Sequence, residues 1–290
     1  MRRSISTRLR PLLSRHTRHW IHDRTANTKG LGFPTQPLPE YTVVDAGDIL
    51  TNVMRPYFEQ GQPLVLRNLL NVMPRNHVAM TSKFGNWYFW LTTVRNGTDC
   101  HVELGGHYAS PNSHRADIPF DEFISYLQLF EDRFGTKSQS PFTTSDGEEE
   151  PEASDLIYLA QNDLFDEIYE HIDIPSFTRE LGEQEHNYST MIWMGPYGCV
   201  SPFHYDPLDN LLMQFVGQKQ FLLCPPDTVL PAGTQSNTSS WDPYQEPMVI
   251  PEIVLQHTLL KPGDAIYIPK KWYHHVQTIQ TSVSINTWFR

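Results

Sequence analysis

Cysteine is scarce in this chain. Cys100, Cys199 and Cys224 are widely spaced among 290 residues, with no C-x-x-C pair. That excludes a disulfide scaffold and a zinc-finger module. No apolar run approaches the roughly 18 residues of a membrane span, so no membrane partner is expected. No internal repeat is visible. Acidic residues are missing from the first 22 positions, which hold six Arg; the remainder carries 16 basic against 33 acidic residues. A body of that sign is a poor nucleic-acid partner, because neutralising phosphates needs a basic face. The N-x-S/T matches at Asn96, Asn187 and Asn237 would matter only in a secreted protein, and no signal peptide is visible.

What is present is enough for one large domain with appendages: 39% apolar residues, 12% of the chain aromatic. The Arg-rich, Ser-containing, acid-free leader has the composition of a mitochondrial transit peptide, which makes the mitochondrion the expected location, with cytoplasm or nucleus otherwise. A plain basic tail or a nucleic-acid arm are the alternatives. Residues 24–38 are Gly/Pro/Thr-rich and read as a linker, so 1–38 form leader and linker and 39–290 the domain, with order expected from about Tyr41. "DILTNVMRPYFEQ" and "PFDEFISYLQLFEDRF" are helix-like, and "LVLRNL" reads as a strand. "FGNWYFWLTTV" fits no single pattern. The Ser/Pro/Glu-rich stretch 138–154 reads as an exposed acidic loop. From Thr190 onward come eight short β segments separated by Gly/Pro turns, with no amphipathic helix between them. That pattern predicts an all-β core, a sandwich or barrel.

Within these segments stands "SPFHYDPLDN". Two residues apart on an extended strand, His204 and Asp206 point the same way and can reach one ion. A third ligand is available 68 residues later, where "AIYIP" runs into His274-His275. Two His and one carboxylate on one face of an octahedral ion suit non-haem Fe(II). H-x-D alone is a common chance occurrence, and a surface His in a strand is the simpler reading; the companions decide.

"SPFHYDPLDNLLMQFVGQKQFLLCPP", "KPGDAIYIPKKWYHHV" and "SVSINTW" resemble a JmjC domain. The likeness is to its small cupin-like hydroxylases, the branch of factor inhibiting HIF and of the arginyl hydroxylase. "GQPLVLRNLL", "CHVELGGHY", "DEFISYL" and "YLAQNDLFDEI" follow in the family's order, so the resemblance covers about Tyr41 to Arg290. It implies a double-stranded β-helix, a cupin-like jelly roll, flanked by N-terminal helices and strands. It implies Fe(II), 2-oxoglutarate as cosubstrate and O2. His204 and Asp206 match the H-x-D ligands. Tyr273-His274-His275-Val276 matches the distal segment, which makes His274 the third ligand and His275 its neighbour. Lys219 matches the lysine that pairs with the far carboxylate of 2-oxoglutarate; an ordinary hairpin lysine is the alternative. Tyr158, Ser201 and Asn210 match cosubstrate-binding positions, and Asn286 matches a pocket Asn. Trp193 would wall the substrate opening or serve as core. Glu103 matches a glutamate that contacts a target arginine, although "GGHY" departs from that branch just after it.

The resemblance therefore implies a dioxygenase hydroxylating a protein side chain, Arg first. Histone lysine demethylation, oxidation of a modified tRNA base, and a cupin-fold binding protein without turnover are the alternatives. Three cysteines cannot build the reader domains of chromatin demethylases. The sequence ends directly after its last strand, so a monomer is expected.

Overall fold

The computed structural model describes residues 34–289 apart from 46–48, 77, 109–113, 136–150, 183–187 and 245–253. The Arg-rich leader and residues 138–150 of the acidic stretch lie outside the described residues. No helix among those described is long and apolar enough to cross a membrane.

The described strands are β1 Thr35–Pro37, β2 Glu40–Thr42, β3 Leu64–Arg67, β4 Asp99–Leu104, β5 His114–Pro119, β6 Ile157–Asp163 and β7 Ser189–Gly195. They continue with β8 Val200–His204, β9 Asp209–Val216, β10 Lys219–Cys224, β11 Leu255–Leu260, β12 Ala265–Ile268, β13 Tyr273–Thr278 and β14 Ser282–Phe289. They form a sheet of order β1-β11-β10-β13-β8 and a larger one of order β2-β3-β12-β9-β14-β7-β6-β4-β5. Strands β7–β14 are the eight segments expected from the sequence. Four of them, β12-β9-β14-β7, oppose the other four, β11-β10-β13-β8, as a cupin-like jelly roll.

Side-chain alternation sorts two cores. Along β9, Leu211, Met213 and Phe215 turn outward into the cluster shared with the helices. Leu212 turns inward and meets Phe221, Leu223, Ile266, Ile268 and Val276 between the sheets. The helix Phe120–Phe134 begins directly after Pro119, as its periodicity predicts, and buries Phe120, Phe123, Leu127 and Phe130 on the outer side of the larger sheet. The aromatic stretch without a clear pattern contains the helix Trp87–Thr93, started by the Asn86 side chain, which accepts from Tyr88 N. Its Trp90 packs on Phe84, centroids 4.8 Å apart, and Phe84 packs on Phe215 of β9.

Two short strands were not read from the sequence, and the first falls before the expected start of order. Inside the stretch read as linker, β1 pairs in parallel with β11, Thr35 opposite Leu255. β2 pairs in parallel with β3. Both segments are polar and too short for a periodic signal; they are ordered by the sheet edges they close.

Candidate active site

β8 and β13 run side by side, with His204 opposite His274 and Ser201 opposite Val276. Three residue steps on β8 therefore match two on β13, which is a β-bulge. Strict alternation would send Ser201 and His204 to opposite faces; the extra residue turns both into the space between the sheets. On β13, His274 and Val276 face inward. His275 faces out, packed against Phe203 and Tyr244 at ring-centroid distances of 5.5 and 5.6 Å.

His204, Asp206 and His274 come together with ligand atoms all within 4.8 Å of one another. His204 Nδ1 lies 2.7 Å from the Pro202 carbonyl and His274 Nδ1 3.0 Å from the Trp272 carbonyl. A carbonyl only accepts, so each Nδ1 carries a proton and each Nε2 is the nitrogen left to face an ion. Burial first, then the neighbouring His204, pull the pKa of His274 down to about 4, which keeps it neutral. Asp206 is aimed by Trp288, whose indole N–H donates to Oδ2 at 3.0 Å. Imidazoles locked through the far nitrogen, plus one oriented carboxylate, fit a divalent ion such as Fe(II).

The triad opens into a cavity with about 430 Å³ of empty space, part of it open to solvent. Lys219, on β10, reaches into it and is 1% exposed. Its Nζ lies 3.4 Å from the Tyr158 hydroxyl, which also hydrogen-bonds Ser201. Among the described residues no carboxylate pairs with this ammonium, and burial pulls its pKa down to about 7. A buried cation without a counterion is costly, so this end of the cavity suits an anion such as the far carboxylate of 2-oxoglutarate. Leu212, Phe221, Ile268 and Val276 supply apolar wall.

Tyr158, Ser201, Asn210, Lys219, Asn286 and Trp193 all line the same cavity as the triad. Asn286 is fully buried, donates to Asn210 Oδ1 and accepts from the Trp193 indole. Glu103 is not among the cavity-lining residues. It is 3% exposed on β4 and takes Arg115 Nε of β5 at 2.6 Å.

Besides the apolar wall, Trp288 and Tyr108 line the cavity and escaped the sequence reading. Trp288 stands two after Asn286, so period-two alternation puts both on one face, and that signal was there to be used. Tyr108 follows the Gly105-Gly106 turn, where no periodicity operates. Its ring lies edge-on to Trp193 at 5.4 Å and to His204 at 5.7 Å, and its hydroxyl donates to Gln161. Burial, then Asp206, push the Tyr108 hydroxyl up to about 12, so it stays neutral.

Comparison with known proteins agrees with this geometry. A cupin-like domain model matches residues 51–290. Jumonji C domain-containing protein 5 of Drosophila melanogaster is 30% identical over 246 residues, 80% of this chain and 55% of that protein. Lysine-specific demethylase 8 of Xenopus tropicalis is 35% identical over 247 residues, 80% of this chain and 49% of that protein. The tRNA wybutosine-synthesizing protein 5 of Danio rerio is 29% identical over 266 residues, 87% of this chain and 75% of that protein. The chain spans about half the length of the JmjC and demethylase relatives it matches.

Proposed function

The chain belongs to the cupin-like domain family, and from that premise we propose that it is an Fe(II)- and 2-oxoglutarate-dependent JmjC dioxygenase that hydroxylates a protein side chain. The observation that carries this is the juxtaposition, in one cavity, of the His204–Asp206–His274 triad, its two histidines buried, and a buried Lys219 without a counterion among the described residues. When bound, iron and 2-oxoglutarate supply the oxidation: one O2 is shared between succinate, formed with loss of carbon dioxide, and a substrate C–H that becomes C–OH.

The chain's own part is positioning and water exclusion. His204, Asp206 and His274 would hold the ion, and the side turned to the cavity would be left for ligands. The Lys219 ammonium, with the Tyr158 and Ser201 hydroxyls beside it, receives the far carboxylate. The apolar wall keeps water away from the reacting end. Trp193 and Tyr108 stand edge to face at the triad and bound the space left for a target side chain.

Arginine before lysine is the target class, on the match of Glu103 to a glutamate that contacts a target arginine. Here that carboxylate is buried outside the cavity lining and already holds the Arg115 guanidinium, so an incoming arginine would have to displace Arg115 to reach it. Demethylation of a lysine N-methyl group is the second reading, favoured by relatives named lysine-specific demethylases. The same oxidation on an N-methyl carbon gives a hemiaminal that collapses to formaldehyde. The excess of acidic over basic residues works against a tRNA substrate.

The test is succinate release by the full chain with Fe(II), 2-oxoglutarate and matched peptides carrying Arg, Lys or N-methyl-lysine. The expected result is release stimulated by the Arg peptide, with the mass gain of one oxygen in that peptide. Formaldehyde from the N-methyl peptide would install the second reading, and no succinate from iron-loaded protein would leave a binding protein. Glu103→Ala should lower peptide-stimulated release and spare the peptide-independent part; equal loss of both would assign Glu103 to the fold. A reporter carrying residues 1–22 tests the mitochondrial address, and light scattering tests the monomer.

A further inference from the structure

Trp193 turns its indole into the cavity, and its hydrogen bond reaches further than its ring. An indole N–H can only donate. It donates to Asn286 Oδ1 at 2.7 Å, so the Asn286 oxygen faces the indole and its NH2 faces away. That NH2 donates to Asn210 Oδ1 at 2.9 Å. The second carboxamide is thereby fixed as well, oxygen toward Asn286 and NH2 on the other side. Shape alone does not distinguish the two ends of a carboxamide; here one indole settles both. Asn286 is fully buried, and Asn210, 5% exposed, lines the cavity. Among the described residues no protein group accepts from the Asn210 NH2.

We infer that Trp193 is a positioning residue that, through Asn286, sets the polarity of Asn210, so that Asn210 offers the bound cosubstrate an N–H donor rather than a carbonyl. The inference rests on the proposed 2-oxoglutarate site and deepens it. The sign of one contact depends on the relay. An N–H toward a carboxylate oxygen attracts it, whereas a carbonyl turned the same way repels it. Besides walling the cavity, Trp193 acts at two removes.

The experiment titrates Zn(II)-loaded full chain with 2-oxoglutarate by calorimetry, so no turnover intervenes. Trp193→Phe keeps the ring and removes the donor, and should weaken 2-oxoglutarate about three- to tenfold, the worth of one ordinary hydrogen bond. Trp193→His keeps a ring N–H and should recover part of that loss. Asn286→Asp leaves an acceptor-only group, which still takes the Trp193 N–H but draws the Asn210 NH2 to itself. It should weaken 2-oxoglutarate more than about tenfold. Zn(II) affinity should stay within about twofold throughout, the triad being untouched. A second readout separates polarity from added charge. In asparagine-labelled protein the Asn210 side-chain NH2 resonance, assigned by its absence in Asn210→Ala, should shift on adding 2-oxoglutarate to wild type and not to Asn286→Asp.

Wild-type affinity in both Trp193→Phe and Asn286→Asp would overturn the relay, as would an Asn210 resonance indifferent to 2-oxoglutarate in wild type that binds it. A wild type that binds Zn(II) but no 2-oxoglutarate would overturn the proposed function and the relay with it.

Discussion

His274 and His275 are adjacent and chemically identical, yet the pleat of β13 gives them opposite fates. His274 joins the triad, while His275 packs among aromatics on the outer face. His274→Ala should therefore abolish metal binding, measured by Co(II) absorption. His275→Ala should keep the metal and lose stability by about 0.5–3 kcal/mol, as for an ordinary buried residue. The reverse result would place the register one residue out. Trp288 acts on the metal from behind. Trp288→Phe keeps the ring and frees the Asp206 carboxylate, and metal affinity should fall about 10- to 100-fold, the usual cost of losing a partner that orients a ligand. At this scale period-two alternation separates His274 from His275; His204 and Asp206 meet as the sequence led one to expect, although β8 ends at His204 and Asp206 lies just beyond it. The sequence was silent on Tyr108, which a turn delivers, and on the Pro202 and Trp272 carbonyls, because any residue carries one.

The jelly-roll strands were readable because Gly and Pro punctuate them and no amphipathic helix falls between them. The bulge in β8 was not read, although Pro202 in "VSPFH" marks an edge strand or a bulge; the pairing with β13 places the extra residue. The helix Trp87–Thr93 was hidden because aromatics on all its sides blur the 3.6-residue period. The Glu103–Arg115 pair was equally hidden, because it spans two strands whose register the sequence does not state. One element is fixed by a single glycine. Gly217 links β9, which carries Asn210, to β10, which starts at Lys219. Its φ is +68°, and a Cβ there would stand 2.1 Å from the Thr281 carbonyl oxygen. Gly217→Ala must strain the backbone and push β14 away. We expect a loss on the order of 1–3 kcal/mol in denaturant unfolding. The KM for 2-oxoglutarate should rise too, because the turn sets where Lys219 begins. A variant as stable as wild type would show that the turn relaxes without cost.

For the molecule as a whole, the cavity between the sheets is a place where folding and ligand binding oppose each other. Folding carries Lys219 out of water, and its pKa falls from 10.5 to about 7 through burial. Between those values the unfolded chain holds a proton that the folded chain does not, so stability from this group rises with pH across the window. Below pH 7 the folded state must bury a charge. Lys219→Met, which removes that charge, should therefore unfold at a higher temperature than wild type at pH 6.5, without ligand, and the advantage should shrink by pH 9. Binding 2-oxoglutarate reverses the preference. Its carboxylate stabilises the ammonium and raises the pKa, so binding above pH 7 takes up a proton. Affinity should fall as pH rises from 7 toward 9, by up to about tenfold per unit. Calorimetry in buffers of different ionisation enthalpy would count that proton directly. Proton uptake in wild type and none in Lys219→Met is the expected result. Equal uptake in both would move the anion site away from Lys219, and with it the orientation assigned to the cosubstrate in the cavity.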